Sequence, residues 1–293
     1  VQSYDLVLDY DGDGTLSPGD LIDGLSPLDV GFTVFGDLTA AGPHAVERLQ
    51  YSGGSWKGQR TYYPADLASL APRPLVVISH GNGHDYTWYD YLGEHLASWG
   101  YVVMSHQNNT GPGIETASTT TLTNTDYILG NLATIGSGVL DGYVDGRTIV
   151  WIGHSRGGEG VVRAYDRIVD GDYSPIHFGV ADIVLISSIA PTVFNDVNTS
   201  NPHDVTFHLL AGAADGDVNG APNCEQCQFF RIAAAAQGAM QSTYVQGAGH
   251  NDFNCCGFDD TTGPAQIGRP EAQELAKAYY LALLHWYVEG VPA

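Results

Sequence analysis

The amino-acid sequence predicts an α/β fold with a mostly parallel central sheet flanked by helices. From residue 26 onward, short and uninterrupted apolar runs alternate with segments of helical periodicity. Such runs are typical of parallel strands whose two faces are both covered by helices. A glycine-rich turn around a serine, Gly153–Gly158, stands between one apolar run and one helical segment. This strand–turn–helix order belongs to the same fold class.

Eight segments are predicted to be strands because they contain short apolar or alternating runs bounded by turn residues. They are Val30–Leu38, Gln59–Tyr63, Leu75–Ser79, Tyr101–His106, Thr148–Ile152, Ile183–Ser187, Val205–Leu210 and Ser242–Val245. Three segments with apolar residues at three-to-four spacing are predicted to be helices, namely Thr87–Ser98, Gly158–Val169 and Arg269–Val288. The threonine-rich stretch Thr116–Thr125 is predicted to be a surface loop.

Composition excludes several classes of function. The chain has 293 residues, of which 43% are hydrophobic, and its 11 Lys+Arg against 33 Asp+Glu give a net charge of −22. This content of apolar residues is sufficient for a globular core. The negative field repels phosphate backbones, so a nucleic-acid partner is excluded. No stretch contains the roughly 20 apolar residues of a membrane span. We therefore expect a globular protein, monomeric and without a membrane span.

The four cysteines form two close groups, Cys224 with Cys227 and Cys255 with Cys256. The spacing of the first group also occurs in zinc sites. We favour two disulfides between the groups, because a bridge between adjacent cysteines strains the backbone. The individual pairing does not follow from the sequence. Disulfides imply an oxidising compartment, so the protein is expected to be secreted or periplasmic.

An acidic segment near the N-terminus has the spacing of a calcium-binding loop. Oxygen-bearing side chains occupy loop positions 1, 3, 5, 7, 9 and 12, and Gly14 at position 6 permits the sharp turn around the ion. The predicted ligands are Asp9, Asp11, Asp13, Thr15, Ser17 and Asp20. Asp20 replaces the usual bidentate Glu, so weaker binding is expected; the alternative is a solvated acidic linker.

This loop resembles dockerin and other EF-hand-like modules of secreted proteins, in which the ion has a structural role. We predict a calcium-binding appendix over residues 1–25 and a main domain over residues 26–293.

The segment Gly153–Gly158, with the sequence GHSRGG, contains the motif G-x-S-x-G. It follows the apolar run Thr148–Ile152 directly and precedes the helical segment. The flanking glycines are needed because a β-carbon would collide with the neighbouring strand and helix. The helix N-terminus also favours an anion at the serine. We predict that Ser155 is a nucleophile.

A serine nucleophile needs a base and a group that orients the base. In this fold the acid and the histidine follow later strands, in the order Ser, Asp, His. His250, in the loop after the last predicted strand, is the predicted base. Asp215 is preferred as the acid over Asp217, because Gly212-x-x-Asp215 matches the usual acid loop. His80 is expected to brace the loop that follows Leu75–Ser79.

Acyl transfer also requires donors that stabilise the oxyanion of the tetrahedral intermediate. The backbone N–H of Arg156 is one predicted donor, and the N–H of Asn82, with Gly83 as the alternative, is the second. Gly83, Trp88 and Asn108 are the predicted substrate-binding residues, since they flank the oxyanion loop or follow the fourth predicted strand. No cofactor is required for this chemistry.

Four motifs, in this order along the chain, resemble those of the α/β-hydrolase superfamily. They are His80-Gly81, the serine turn, Gly212-x-x-Asp215 and Gly247-x-Gly249-His250. The sequence GHSRGG is similar to that of chlorophyllases. Trp99–Met104 and the serine turn resemble the dienelactone-hydrolase and polyester-hydrolase branch, which includes cutinase-like poly(ethylene terephthalate) hydrolases.

This resemblance covers most of residues 26–293. It implies a carboxylic ester hydrolase that forms an acyl-enzyme from short- to medium-chain, aromatic or polymeric esters. Arg156 stands where the polyester hydrolases carry a methionine, and no tryptophan lies between Trp151 and Trp286. Three alternatives remain: a serine peptidase or amidase with the same triad, a non-catalytic binding module of the same fold, and a calcium-dependent interaction protein.

Overall fold

The computed structural model describes residues 2–4, 6–22, 32–34 and 36–290. Twelve strands occur in these residues, and eight of them form one central sheet. The strands are β1 (Gln2–Tyr4), β2 (Val7–Leu8), β3 (Leu21–Ile22), β4 (Phe32–Val34), β5 (Val46–Ser52), β6 (Gly58–Pro64), β7 (Arg73–Ser79), β8 (Val102–His106), β9 (Val144–His154), β10 (Ile183–Ile189), β11 (Thr206–Gly212) and β12 (Met240–Val245).

The central sheet has the order β12-β11-β10-β9-β7-β8-β6-β5. The six strands from β7 to β12 are parallel, and β6 and β5 add an antiparallel edge beside β8. This arrangement confirms the predicted fold class. The α-helices of the described residues are α1 (Asp90–Ser98), α2 (Ile114–Gly130), α3 (Arg156–Val169), α4 (Phe230–Ala235) and α5 (Gly268–Tyr287).

Both faces of the sheet are covered, which explains the uninterrupted apolar runs of its central strands. Side chains alternate between the two faces: Val77 of β7 belongs to the same apolar cluster as Leu122 of α2 and Val161 of α3. Its neighbour Ile78 belongs to the opposite cluster, which contains residues of α1 and α5 such as Leu92 and Tyr280. Because the strands β7 to β12 are parallel, their carboxyl ends lie at one common edge of the sheet.

Seven of the eight predicted strands are observed in the central sheet; most of them are longer than predicted, whereas β8 begins one residue later, at Val102. The exception is Val30–Leu38: of its described residues, Phe32–Val34 form β4, which pairs antiparallel with β1 outside the central sheet. The edge strand β5 was not predicted, because its apolar residues are sparse and it is largely exposed. The predicted domain boundary after residue 25 falls in residues 23–31, outside the described part, and stays a prediction.

The prediction that Thr116–Thr125 is a surface loop is wrong, because the whole stretch lies in α2. Threonine is a poor helix former in isolation, but its hydroxyl can bond the carbonyl one turn earlier. The Thr125 hydroxyl donates to the Thr121 carbonyl at 2.9 Å and accepts the indole N–H of buried Trp151 at 3.2 Å. The threonines therefore bury polar side chains against the sheet without leaving donors unpaired.

The predicted disulfides between the two cysteine groups are wrong. Cys224 bonds Cys227 and Cys255 bonds Cys256, so the expectation that adjacent cysteines would not pair also fails. A tight turn directs the Cys227 N–H to the Cys224 carbonyl at 3.1 Å, which brings the first two residues together. The Cys255 N–H instead donates to the Trp88 carbonyl at 3.0 Å, beside the start of α1. With all four cysteines in disulfides, the zinc alternative has no free thiolate.

None of the described helices combines the length and the apolarity needed to cross a bilayer.

We expect Trp151→Ala to lower the free energy of unfolding by about 3–5 kcal/mol, because it removes a large, fully buried side chain from the centre of the sheet. Urea denaturation followed by circular dichroism measures this change. The control Tyr244→Ala alters a side chain that is 54% exposed and should change stability by no more than about 0.5 kcal/mol. Equal losses in the two variants would contradict this account of the core.

Candidate active site

Ser155 is the single residue between β9 and α3, and its backbone has a conformation that serine rarely adopts. Its φ of 56° and ψ of −123° lie in a strained region for a residue with a β-carbon. The Ser155 N–H donates to the Ile189 carbonyl of β10 at 2.9 Å, which holds the turn against the sheet. The serine is therefore fixed at the carboxyl edge of the sheet and at the N-terminus of a 14-residue helix.

The glycines around Ser155 are required by close backbone approach. A β-carbon on Gly153 would lie 2.2 Å from the Gly157 carbonyl oxygen, and one on Gly157 would lie 2.3 Å from the Ser79 carbonyl oxygen. No side chain fits at such distances. Glycine at position 153 lets α3 lie close to β9, and glycine at position 157 lets it lie close to β7, so the sequence motif has a direct steric cause.

His250 and Asp215 form a buried hydrogen-bonded pair. The Nδ1 atom of His250 lies 2.9 Å from Oδ2 of Asp215, and both side chains are almost fully buried. The other carboxylate oxygen of Asp215 accepts the backbone N–H groups of Asp217 at 2.8 Å and Val218 at 2.7 Å. The structure thus brings Asp215 to Nδ1, whereas the largely exposed carboxylate of Asp217 lies 3.8 Å from Nε2.

Ser155 and His250 line one cavity of about 280 Å³. Nε2 of His250 is buried and has no hydrogen-bond partner among the described residues. It is therefore free to accept a proton from a hydroxyl that faces the cavity. The hydrogen bond between a nucleophile and its base is often long in the absence of substrate and shortens when substrate binds.

The charges around His250 change its proton affinity. Burial lowers the pKa of His250, but the hydrogen bond and charge of Asp215, with the charges of Asp217 and Asp260, outweigh this effect and raise the pKa above 6.5. Asp260 also holds the backbone of the histidine loop: its carboxylate accepts the N–H groups of His250 at 3.0 Å and Asn251 at 3.1 Å. Sequence reasoning missed Asp260, and its only signal was the acidic pair Asp259–Asp260 downstream of His250.

His80 lies in the position predicted for a brace of the oxyanion loop. Its Nδ1 lies 2.7 Å from the Gly81 carbonyl, and its Nε2 accepts the Asn108 N–H at 2.9 Å. These contacts identify the neutral tautomer with the proton on Nδ1, and burial lowers the pKa of His80. Asn82 and Arg156, the predicted backbone donors, both line the cavity of Ser155.

The three predicted substrate-binding residues lie outside the cavity that contains Ser155. Gly83 and Asn108 line an adjoining cavity of about 350 Å³, which shares Asn82 with the first. The side chain of Asn108 is buried and donates to the His80 carbonyl at 2.9 Å, so it supports the loop. Trp88 stacks on His84 at 5.2 Å between ring centroids and forms a layer behind the cavity wall.

Several residues that sequence reasoning did not select line the cavity of Ser155. Phe194 and Phe258 are 52% and 71% exposed, and Thr192 and Gln226 contribute polar groups. No signal in the sequence distinguishes these loop residues, because their approach to Ser155 depends on how the loops after β10, β11 and β12 fold.

A row of aromatic rings extends from His250 through His154 to His84, which also lines the cavity of Ser155. The centroids of His154 and His250 are 4.7 Å apart, and those of His84 and His154 are 5.1 Å apart. The Tyr89 hydroxyl lies 2.9 Å from Nδ1 of His84 and 2.8 Å from Nδ1 of His154. Burial lowers the pKa of His84 to about 3 and that of His154 well below its ordinary value. His250 is thus the histidine of this row whose pKa is raised, and it takes up a proton more readily than His84 or His154.

In the N-terminal loop, Asp9, Asp11 and Asp13 each have a carboxylate oxygen that lies within 4.8 Å of the other two. This arrangement fits the oxygen ligands that calcium prefers. The Asp20 carboxylate accepts the N–H groups of Tyr10 at 2.9 Å and Ser17 at 2.7 Å, and the Asp9 carboxylate accepts those of Gly12 at 2.6 Å and Gly14 at 2.7 Å. The loop is flanked by β2 and β3, which pair antiparallel, whereas an EF-hand loop lies between helices.

The parallel sheet, its flanking helices and the strained serine turn together define an α/β-hydrolase fold. A family model described as PETase, PET hydrolase-like, matches residues 36–168. The match covers the oxyanion loop and Ser155 but ends before Asp215 and His250, and it supports a serine ester hydrolase of this fold and the polyester-hydrolase branch. The resemblances to chlorophyllases and dienelactone hydrolases stay predictions. A comparison with curated proteins found no match.

We expect Asp217→Asn to shift the acidic limb of the pH profile of kcat/KM to lower pH. The negative charge of Asp217 near Nε2 favours the protonated form of His250. Removing this charge lowers the pKa of His250, so the imidazole loses its proton at lower pH. In the wild-type protein, activity should rise with pH as His250 loses its proton, and the raised pKa of His250 places this rise at higher pH than for an ordinary histidine. The exposed control Asp141→Asn should leave the midpoint of this rise unchanged, and the same midpoint in all three proteins would argue against His250 as the base.

Proposed function

We propose that this protein is a carboxylic ester hydrolase that uses a triad of Ser155, His250 and Asp215 and forms an acyl-enzyme. The observation that supports this proposal most strongly is the juxtaposition in one cavity of a serine on a strained turn and a histidine hydrogen-bonded to a buried carboxylate. A catalytic serine needs this combination of a base and a group that orients the base.

In the first step, Nε2 of His250 takes the proton of the Ser155 hydroxyl while Oγ attacks the ester carbonyl carbon. The backbone N–H groups of Arg156 and Asn82 stabilise the resulting oxyanion. His250 then gives its proton to the leaving alcohol, and the acyl group remains on Ser155. Asp215 keeps the imidazole in the reactive tautomer and stabilises its charged form.

In the second step, His250 takes a proton from a water molecule that attacks the acyl-enzyme. The second tetrahedral intermediate collapses, the proton returns to Ser155, and the carboxylic acid leaves. The histidine row favours this cycle, because a neutral His154 beside His250 adds no repulsion to the imidazolium that forms in each step.

The proposed substrates are short- to medium-chain or aromatic carboxylic esters, and the PET hydrolase-like match supports polyesters as a further class. The cavity combines polar groups of Asn82, Thr192 and Gln226 with two exposed phenylalanines, which suits an ester more than a long lipid chain. Because the two disulfides are typical of oxidising compartments, we propose a secreted or periplasmic location.

Ser155→Ala should abolish labelling by a fluorophosphonate probe and reduce kcat on a p-nitrophenyl ester by about 10⁴-fold or more. His250→Ala should cause a similar loss while circular dichroism shows an intact fold. The exposed control Ser242→Ala should retain full labelling and turnover. Labelling that persists in Ser155→Ala would refute the assignment of the nucleophile, and a wild-type protein that is never labelled would favour a non-catalytic module. Comparing each ester with its matching amide separates an esterase from an amidase.

We also propose that the N-terminal loop binds Ca²⁺ through Asp9, Asp11 and Asp13, assisted by Thr15, Ser17 and Asp20, in a structural role separate from catalysis. Isothermal titration with CaCl₂ should give one site with a Kd of about 10⁻⁴–10⁻³ M, the range of extracellular modules. Asp11→Asn should weaken this binding without altering ester hydrolysis. Identical heats from the wild type and Asp11→Asn would indicate a solvated acidic linker instead.

A further inference from the structure

The carboxylate of Glu159 is fully buried in α3, one turn after Ser155, and makes no ion pair among the described residues. A buried carboxylate is unfavourable unless hydrogen bonds compensate for its lost hydration. Four donors do so here. Oε2 accepts the Thr192 hydroxyl at 2.9 Å and the Phe194 N–H at 2.8 Å. Oε1 accepts the Asn195 N–H at 2.7 Å and the Ser200 hydroxyl at 3.3 Å.

All four donors belong to residues 192–200, within the connection between β10 and β11. This segment contributes Thr192 and Phe194 to the cavity of Ser155. One side chain on the helix that starts at the nucleophile therefore holds a wall of the cavity. The mechanism proposed above makes no use of this carboxylate.

The ring of Phe194 has a second restraint. The guanidinium of Arg156 lies 5.0 Å from the ring centroid, and its Nη1 donates to the Thr110 carbonyl at 2.9 Å. Arg156 thus connects Phe194 to the loop that follows β8. With its backbone bonded to Glu159 and its ring against Arg156, Phe194 is a fixed apolar surface that remains half exposed beside Ser155.

We propose that Glu159 is a positioning residue for acyl recognition, which holds Phe194 where the ring of an aromatic acyl group packs against it. The inference rests on the proposed esterase function and narrows its preferred substrates to esters of aromatic acids. A fixed ring suits a planar group, because the contact is made without first ordering the loop.

The test compares a benzoate and an acetate ester of the same alcohol, so that the leaving group is constant. In Glu159→Gln one carboxylate oxygen becomes an NH₂ group, which cannot accept the N–H groups of the loop. The ratio of kcat/KM for benzoate over acetate should fall by about 2- to 12-fold, the range that an aromatic contact contributes. The loss should appear mainly in KM for the benzoate ester. Glu271→Gln, an exposed carboxylate of α5, should retain the wild-type ratio.

A double-mutant cycle with Phe194→Ala tests whether Glu159 acts through Phe194. If it does, Glu159→Gln lowers the ratio in the wild-type background and has no further effect when Phe194 is alanine. Equal effects in both backgrounds would overturn the proposal. So would a Glu159→Gln protein with a lower melting temperature and an unchanged ratio, since that is the result of a purely structural role.

Ser200→Ala provides a milder variant in case Glu159→Gln does not fold. It removes one donor to Oε1 at a residue outside the cavity lining, and it should lower the ratio in the same direction by a smaller factor. An unchanged ratio in this variant would then overturn the proposal. A wild-type protein that hydrolyses neither ester would refute the proposed function itself. A wild-type protein that hydrolyses both, with variants of unchanged ratio, would refute only the role of Glu159.

Discussion

The hydrogen bond between Nδ1 of His250 and Oδ2 of Asp215 is the interaction on which the proposed site depends. It joins the loop after β11 to the loop after β12, and it fixes which imidazole nitrogen is left for the cavity. Because both groups are buried, the carboxylate needs further donors, which the N–H groups of Asp217 and Val218 supply. Asp260 does the same for the histidine loop by accepting two of its N–H groups. The pair is thus held by backbone contacts on both sides, so its geometry does not depend on a single bond.

The serine side of the site is held by close packing. Gly153 and Gly157 allow α3 to approach β9 and β7 at distances that exclude any β-carbon, and the serine between them has a backbone conformation that only tight surroundings maintain. The same helix carries Glu159, whose hydrogen bonds hold the wall segment 192–200. One helix therefore determines the position of the nucleophile and of the surface beside it.

Electrostatics at the site follow from local contacts more than from the net charge. The chain is strongly acidic, yet only the acids within a few ångströms of His250 affect its proton affinity directly, and these raise its pKa. The neighbouring histidines respond to burial instead and remain neutral. A cluster of histidines thus contains one residue, His250, whose surroundings favour the protonated form.

The sequence by itself determined the α/β class and the candidates Ser155, His250 and Asp215, because each depends on a local rule: apolar runs for covered strands, glycines for a tight turn, and loops that follow strands. Tertiary structure decided everything that requires two distant segments to meet. It placed Thr116–Thr125 in a helix, since only the buried sheet surface compensates for the low helix propensity of threonine. It paired each cysteine with its near neighbour, because the two groups lie in loops with different contacts. It also selected Asp260, Glu159 and Phe194, whose residue types do not indicate these roles, because the roles arise from the groups that the fold brings to them.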